Sequence, residues 1–176
     1  MKRLLFAISS LMITLAAYAQ YGDQPTTKVD WNGIKLADNI VIGISFDVTE
    51  AKFGGLSYED RCEVDPELKT DLHEVVARFV NSANDEMNKY IYEIYFSPKV
   101  EGKDNYIVFK VKTVGQGGWV IADAKLVTPS GVATITDLYG KGGVFGTFMN
   151  LFGDGCESLG KDIAKRIAKA KYRKKI

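Results

Sequence analysis

The chain has 176 residues, with 23 basic and 22 acidic side chains, a single histidine, two cysteines and 46% hydrophobic residues. The length suits one domain with one core. One histidine and two cysteines 94 positions apart give no ligand spacing for a metal centre, so neither metal nor cofactor is expected.

The chain opens with Lys2-Arg3, an apolar run from Leu4 to Ala17, and Ala17-Tyr18-Ala19 before Gln20, the three parts of a signal peptide spanning residues 1–19. A periplasmic or secreted location follows as the expectation. No cysteine follows the cleavage point directly, so no lipid anchor is expected, and no later run approaches the roughly 18 apolar residues of a membrane span. Residues 20–38 form a polar lead-in in which Trp31 is a candidate anchor, and residues 39–176 read as a single α/β domain.

From Asn39 the pattern acquires a period of two: Ile42, Ile44, Phe46 and Val48 alternate with Gly43, Ser45 and Asp47, which predicts a strand buried on one face. A helix is predicted next, with Asp65 as N-cap, Pro66 at its first position and Glu67 at the positive end of its dipole. Leu68, Leu72, Val75, Val76, Phe79, Val80, Ala83 and Met87 then recur every three or four residues as one apolar stripe. Four further strands are predicted at Ile91–Phe96, Tyr106–Val114, Trp119–Val127 and Val132–Tyr139, separated by proline and glycine turns. Short connections favour antiparallel pairing, and Val120, Ala122, Ala124 and Leu126 mark the face beneath the helices. A last helix is predicted from about Glu157, with Leu159, Ile163 and Ile167 as its apolar line and Gly160, Ala164 and Ala168 as a small-residue seam. The expected fold is therefore α+β: an antiparallel or mixed sheet of about five strands carrying two helices, in the order β-α-β-β-β-β-α.

Charge is unevenly spread. Gln20 to Gly160 carries 13 basic and 21 acidic residues, whereas Lys161 to Ile176 carries eight basic residues and one acidic residue, Asp162. The prediction is an acidic body with a basic C-terminal helix.

Within residues 153–162, GDGCESLGKD, the Gly155-x-x-x-x-Gly160-Lys161 spacing approaches a phosphate-binding loop. Such a loop requires Ser or Thr after the lysine to ligate magnesium, and a βαβ unit around it. Asp162 stands at that position, and only 14 residues follow it. No nucleotide is expected, and the glycines are read as a helix entry.

The order strand, long helix, strand meander, terminal helix resembles a group of small bacterial envelope domains that includes the amino-terminal domain of TolB and the curli-secretion lipoprotein. The residues that carry the resemblance are Asp123-Ala124-Lys125 leading to Pro129-Ser130-Gly131, and Gly160-x-x-Ile163-Ala164-x-x-Ile167. The resemblance covers residues 39–170 and implies a non-enzymatic domain that assembles with envelope partners.

Two candidate chemistries and one candidate surface remain. Cys62 and Cys156 are each expected just before a helix, where the dipole favours a thiolate, so a dyad of either cysteine with His73 is the enzymatic alternative, beside a hydrolase built on a carboxylate pair such as Glu59-Asp60 or Asp85-Glu86. If the two helices run the same way, Cys62 and Cys156 become neighbours and a disulfide closes a loop of roughly 95 residues; if they run oppositely, the thiols are separated. The surface is the segment Gly140 to Gly155, where Phe145, Phe148 and Phe152 are expected either to cover the core from a short helical turn at 144–151 or, some of them, to remain exposed. In the second case they dock, with Lys165, Arg166 and Lys169 of the basic helix, on an envelope protein or a membrane surface. Nucleic acid is not an expected partner, because no aromatic residues interleave with those cations.

Overall fold

A computed structural model describes residues 24–91 and 93–172. The expected signal peptide and Arg173, Lys174 and Lys175 of the basic run lie outside the described residues. Seven strands form one mixed sheet: β1 (Lys28–Asp30), β2 (Ile40–Asp47), β3 (Lys52–Phe53), β4 (Ile94–Ser97), β5 (Asn105–Val114), β6 (Val120–Thr128) and β7 (Gly131–Gly140). Among the described residues three helices accompany them: α1 (Tyr58–Val64), α2 (Glu67–Met87) and α3 (Phe148–Tyr172). The α+β class is as expected, but the count of five strands and two helices is not. The three additional elements are short, and none spans enough residues to show a period. β1 falls in the polar lead-in and reaches the sheet by pairing with β7, with Val29 opposite Ile135.

The strand order is β1-β7-β6-β5-β2-β4, and β3 continues the line of β2 along β5. The pairs β5–β6 and β6–β7 are antiparallel, as their short turns require. β4 departs from that rule, because it pairs parallel to β2 while β2 pairs parallel to β5. Residues 98–104 therefore cross β2 to join two parallel strands. Such a short crossing is possible because β4 stops opposite Gly43, level with the start of β5 opposite Ile42. The crossing chain lies against the strand at Gly43, where an added Cβ would stand 2.8 Å from the Lys99 carbonyl oxygen.

α2 and α3 lie on the face formed by Ile42, Ile44, Ile107, Phe109, Ala122, Ala124 and Ile135, all buried. The apolar stripe of α2 meets it as the spacing predicts, and Phe79 contacts Phe46 edge-on at 5.4 Å and Phe109 at 4.9 Å. Asn84 closes the outer edge of β4: its Oδ1 accepts from the Phe96 N–H at 2.7 Å and its Nδ2 donates to the Phe96 carbonyl at 3.1 Å. Both polar groups of an edge residue are satisfied, so that edge is blunted against further strand pairing.

Two helix boundaries differ from the sequence reading. Asp65 does not cap α2, because α1 precedes it: Ser57 caps α1 through the Asp60 N–H, and Asp65 ends α1 and pairs with Arg61 at 2.5 Å. α3 begins at Phe148, nine residues ahead of the expected start, and contains the whole GDGCESLGKD stretch. The glycines are thus interior to a helix and serve close approach. A Cβ on Gly155 would overlap the Gly118 carbonyl oxygen, and one on Gly160 would overlap the Phe79 carbonyl oxygen of α2.

Gly160→Ala is expected to lower stability by about 1–3 kcal/mol in urea denaturation, because forced overlap with the α2 backbone outweighs the ~1 kcal/mol that alanine gains over glycine within a helix. An increase in stability would overturn the assigned contact.

Candidate functional site

The sheet has two distinct ends. β3, β5 and β7 finish at one end, where α1, α2 and α3 begin, so the loops at 54–57, 115–119 and 141–147 gather there. The helices run parallel. Arg78 of α2 fixes their register: its Nε donates to Glu157 at 2.8 Å, one terminal nitrogen to Asp154 at 2.6 Å, and the other to the Asn150 carbonyl at 3.1 Å. One turn on, the Ser82 hydroxyl donates to the Glu157 carbonyl at 2.7 Å.

The three phenylalanines of the expected docking segment divide sharply. Phe152 is 0% exposed and packs edge-on against Phe53 at 5.8 Å. Phe148 is half-buried beneath α1, with the Arg61 guanidinium 3.8 Å above its ring. Phe145 is 90% exposed and Val144 74% exposed. Of the two alternatives, the core reading holds for Phe152 and the exposed one for Phe145, so a docking surface of all three rings is corrected: Phe148 and Phe152 belong to the first turns of a longer helix, whose periodicity turns them inward, and within residues 144–152 the exposed apolar surface is that of the loop ahead of the helix. Leu56 and Val64 add exposed apolar positions at the same end.

The expected union of these rings with the basic helix is also corrected. Lys165 and Lys169 are exposed and Arg166 is half-buried, its Nε 2.5 Å from Asp162. At 1.5 Å per residue, Lys165 lies about 25 Å along α3 from Phe148. Acidic side chains dominate the Phe145 end: Glu59, Asp60 and Glu63 on α1 are exposed, and Glu67, Asp71 and Glu74 line a groove between α2 and Thr147, Met149 and Asn150.

Neither enzymatic arrangement assembles from the residues named for it. Cys156 is in the third turn of α3 and 0% exposed, and burial pushes its thiol far above the ordinary range, the reverse of an activated nucleophile. Cys62 is half-buried on α1 beside the Tyr58 hydroxyl, whose pKa is raised by burial and by that thiol. His73 is exposed on α2, and its Nδ1 donates to the Thr70 carbonyl at 2.9 Å. The helices meet the parallel condition for a disulfide, yet both cysteines are free thiols. Of the carboxylate pairs, Glu59 and Asp60 occupy the exposed first turn of α1, and Glu86 is buried with Lys89 at 2.7 Å while Asp85 faces outward. Besides Asp154 and Glu157 on Arg78, a second carboxylate pair converges that was not named for catalysis. Lys112 bridges Asp123 at 2.7 Å and Asp137 at 2.9 Å on the sheet face opposite the helices, at a bulge where Asp137 adopts φ 56°. No spacing in the sequence could reveal that pair, since the bulge alone brings Asp137 round to Asp123.

Among the described residues, no group of three or more His, Cys, Asp or Glu side chains is placed to hold a metal ion, and no helix is long and apolar enough to cross a membrane. No protein-family model matches the chain, and no curated protein matches it. A solved structure of a PelC dodecamer from Paraburkholderia phytofirmans, carrying a point substitution, is similar at 14% identity and a TM-score of 0.35, over 84% of this chain and 98% of that one. A likeness at that level carries no argument about fold or function.

The two thiols are expected to separate by reactivity. At pH 8 a disulfide reagent labels Cys62 in the native protein, whereas Cys156 reacts only at the rate of unfolding. Because the folded state holds the Cys156 proton more tightly than the unfolded chain does, its stabilising contribution is complete below the ordinary thiol pKa and is lost progressively as pH rises above it. Fast native labelling of Cys156 would overturn its assignment to the core.

Proposed function

We propose that this chain is an exported, non-catalytic domain that binds an envelope or extracellular protein through the loop at 141–147. The observation that carries the reading is the pair Val144 and Phe145, which hold 74% and 90% of their surface in water on a short link between a strand and a helix that are both packed into the core. An exposed aromatic ring on a rigidly anchored loop is suited to fill a partner's pocket at the centre of an interface. The acidic residues around it favour a protein partner with a basic rim over a membrane, because anionic headgroups repel Glu59, Asp60, Glu63 and Glu67. The resemblance to small envelope domains agrees with this reading and adds no site of its own.

The test compares Phe145→Asp with the unaltered protein in affinity capture from envelope extracts. One protein recovered in stoichiometric amount with the unaltered chain and lost with Phe145→Asp supports the proposal; the same protein recovered with both excludes the loop. Phe145→Asp is expected to change stability by less than about 0.5 kcal/mol, as surface substitutions do. Phe152→Ala, which empties a core position, is expected to cost about 3–5 kcal/mol and serves as the contrast.

A further inference from the structure

α1 is held differently from the other two helices. None of its seven residues is fully buried, whereas α2 and α3 each sink an apolar stripe into the core. Its inner side is made by Tyr58, Arg61 and Cys62, neighbours on one helix face, and each of these carries a polar end. Tyr58 rests against Phe53 with ring centroids 5.7 Å apart, and the Arg61 guanidinium lies 3.8 Å above the Phe148 ring. Val64, the one aliphatic side chain of α1, faces water instead and is 63% exposed. An inner face of this kind separates at small cost, because the phenol, the guanidinium and the thiol regain water as it lifts.

The polar contacts of α1 are internal. Ser57 caps its first turn, and Arg61 pairs with Asp65 at its own C-terminal end. Among the described residues no hydrogen bond or ion pair joins the seven residues of α1 to the sheet, to α2 or to α3. The buried Nε of Arg61 meets no acceptor among those residues, so the closed position leaves a donor of a charged group unsatisfied. Both ends of α1 are formed to turn: Gly54 and Gly55 precede it at φ 62° and 94°, and Asp65, at φ −125° and ψ 86°, breaks the path into α2.

We propose that α1 is a lid, which opens as a unit while the sheet, α2 and α3 stay folded, and that its opening adds the rings of Phe148 and Phe53 to the apolar surface begun by Phe145. Phe148 follows Phe145 by three residues, and its ring centroid is 6.4 Å from that of Phe53. In the closed state Arg61 occupies the ring face of Phe148; in the open state an apolar side chain of a protein partner takes that place. Such a partner binds the open state alone and so draws the lid open. The role of the lid rests on the reading of the 141–147 loop as a docking site, whereas the motion does not.

Native-state hydrogen exchange on the purified chain tests the motion. The amides of residues 61–65 are expected to exchange at least a hundredfold faster than those of residues 75–87 and 163–168, with a weaker dependence on urea. Exchange of all three segments at one common rate would overturn the lid. Arg61→Ala, which removes the cover of Phe148, is expected to speed exchange of residues 61–65 at least threefold, to leave the two core segments unchanged, and to raise the fluorescence of Nile red, an uncharged probe of apolar surface. Glu63→Ala, on the outer side of α1, is expected to move neither readout. A Nile red signal unmoved by Arg61→Ala, or a loss of protection in α2 and α3 together with α1, would overturn the proposal. The two readings fail separately: capture from envelope extracts that is indifferent to Phe145→Asp removes the docking role and keeps the motion, while α1 exchanging with the core removes the lid and leaves the Phe145 loop as proposed.

Discussion

The contact between α2 and α3 is the constraint on which the rest of the molecule depends. Two parallel helices side by side place their positive ends together, and the carbonyl and amide groups of each backbone must be kept from clashing at close range. Gly160 removes the side chain where α3 meets the Phe79 carbonyl, and Arg78 supplies positive charge to Asp154 and Glu157 where the helices begin to converge. Each ion pair is partly exposed, with side chains between 32% and 39% accessible, and is worth little by itself. Their value is positional: three hydrogen bonds from one guanidinium to three successive turns of α3 fix the sliding register that apolar packing alone leaves loose.

That register determines where the surfaces fall. Because α3 starts beside the sheet end where α1 and α2 start, the loop before it emerges among acidic side chains, and its one bulky exposed ring stands in an acidic setting. Further along, Lys161 and Lys165 of α3 line a shallow groove at the end of β7 together with Lys141 and Asp162. The acidic side chains thus gather where the helices begin and most cations lie further along α3, with Lys141 on the loop between.

The open face of the sheet carries a different device. Lys112 neutralises Asp123 and Asp137 where β7 bulges, and Asp123 also accepts the Asp137 N–H at 2.9 Å. The bulge leaves this N–H outside the ladder, and the Asp123 side chain satisfies it. Asp123 is one of the residues on which the envelope-domain resemblance rests, and its role here is to hold the strand pair.

Periodicity was sufficient for the long elements. The stripe from Leu68 to Met87, the alternation in β2 and the small residues of β6 each describe a surface that can be buried in only one way, so the sequence by itself determined the α+β class, the principal strands and the face beneath the helices. It also determined that Leu159, Ile163 and Ile167 are core. It did not determine where α3 begins, because glycines at 153 and 155 read locally as helix breakers, and only the backbone of the 115–118 turn, pressed against Gly155, makes glycine the residue that a helix requires there. The pairing of β4 likewise depended on a strand short enough for its loop to cross β2 at Gly43. Exposure of Phe145 against burial of Phe152, and the placing of Lys141 on one groove with Lys161 and Lys165, were decided by tertiary structure alone, since a side chain's surroundings depend on which distant backbone stands beside it and not on its neighbours along the chain.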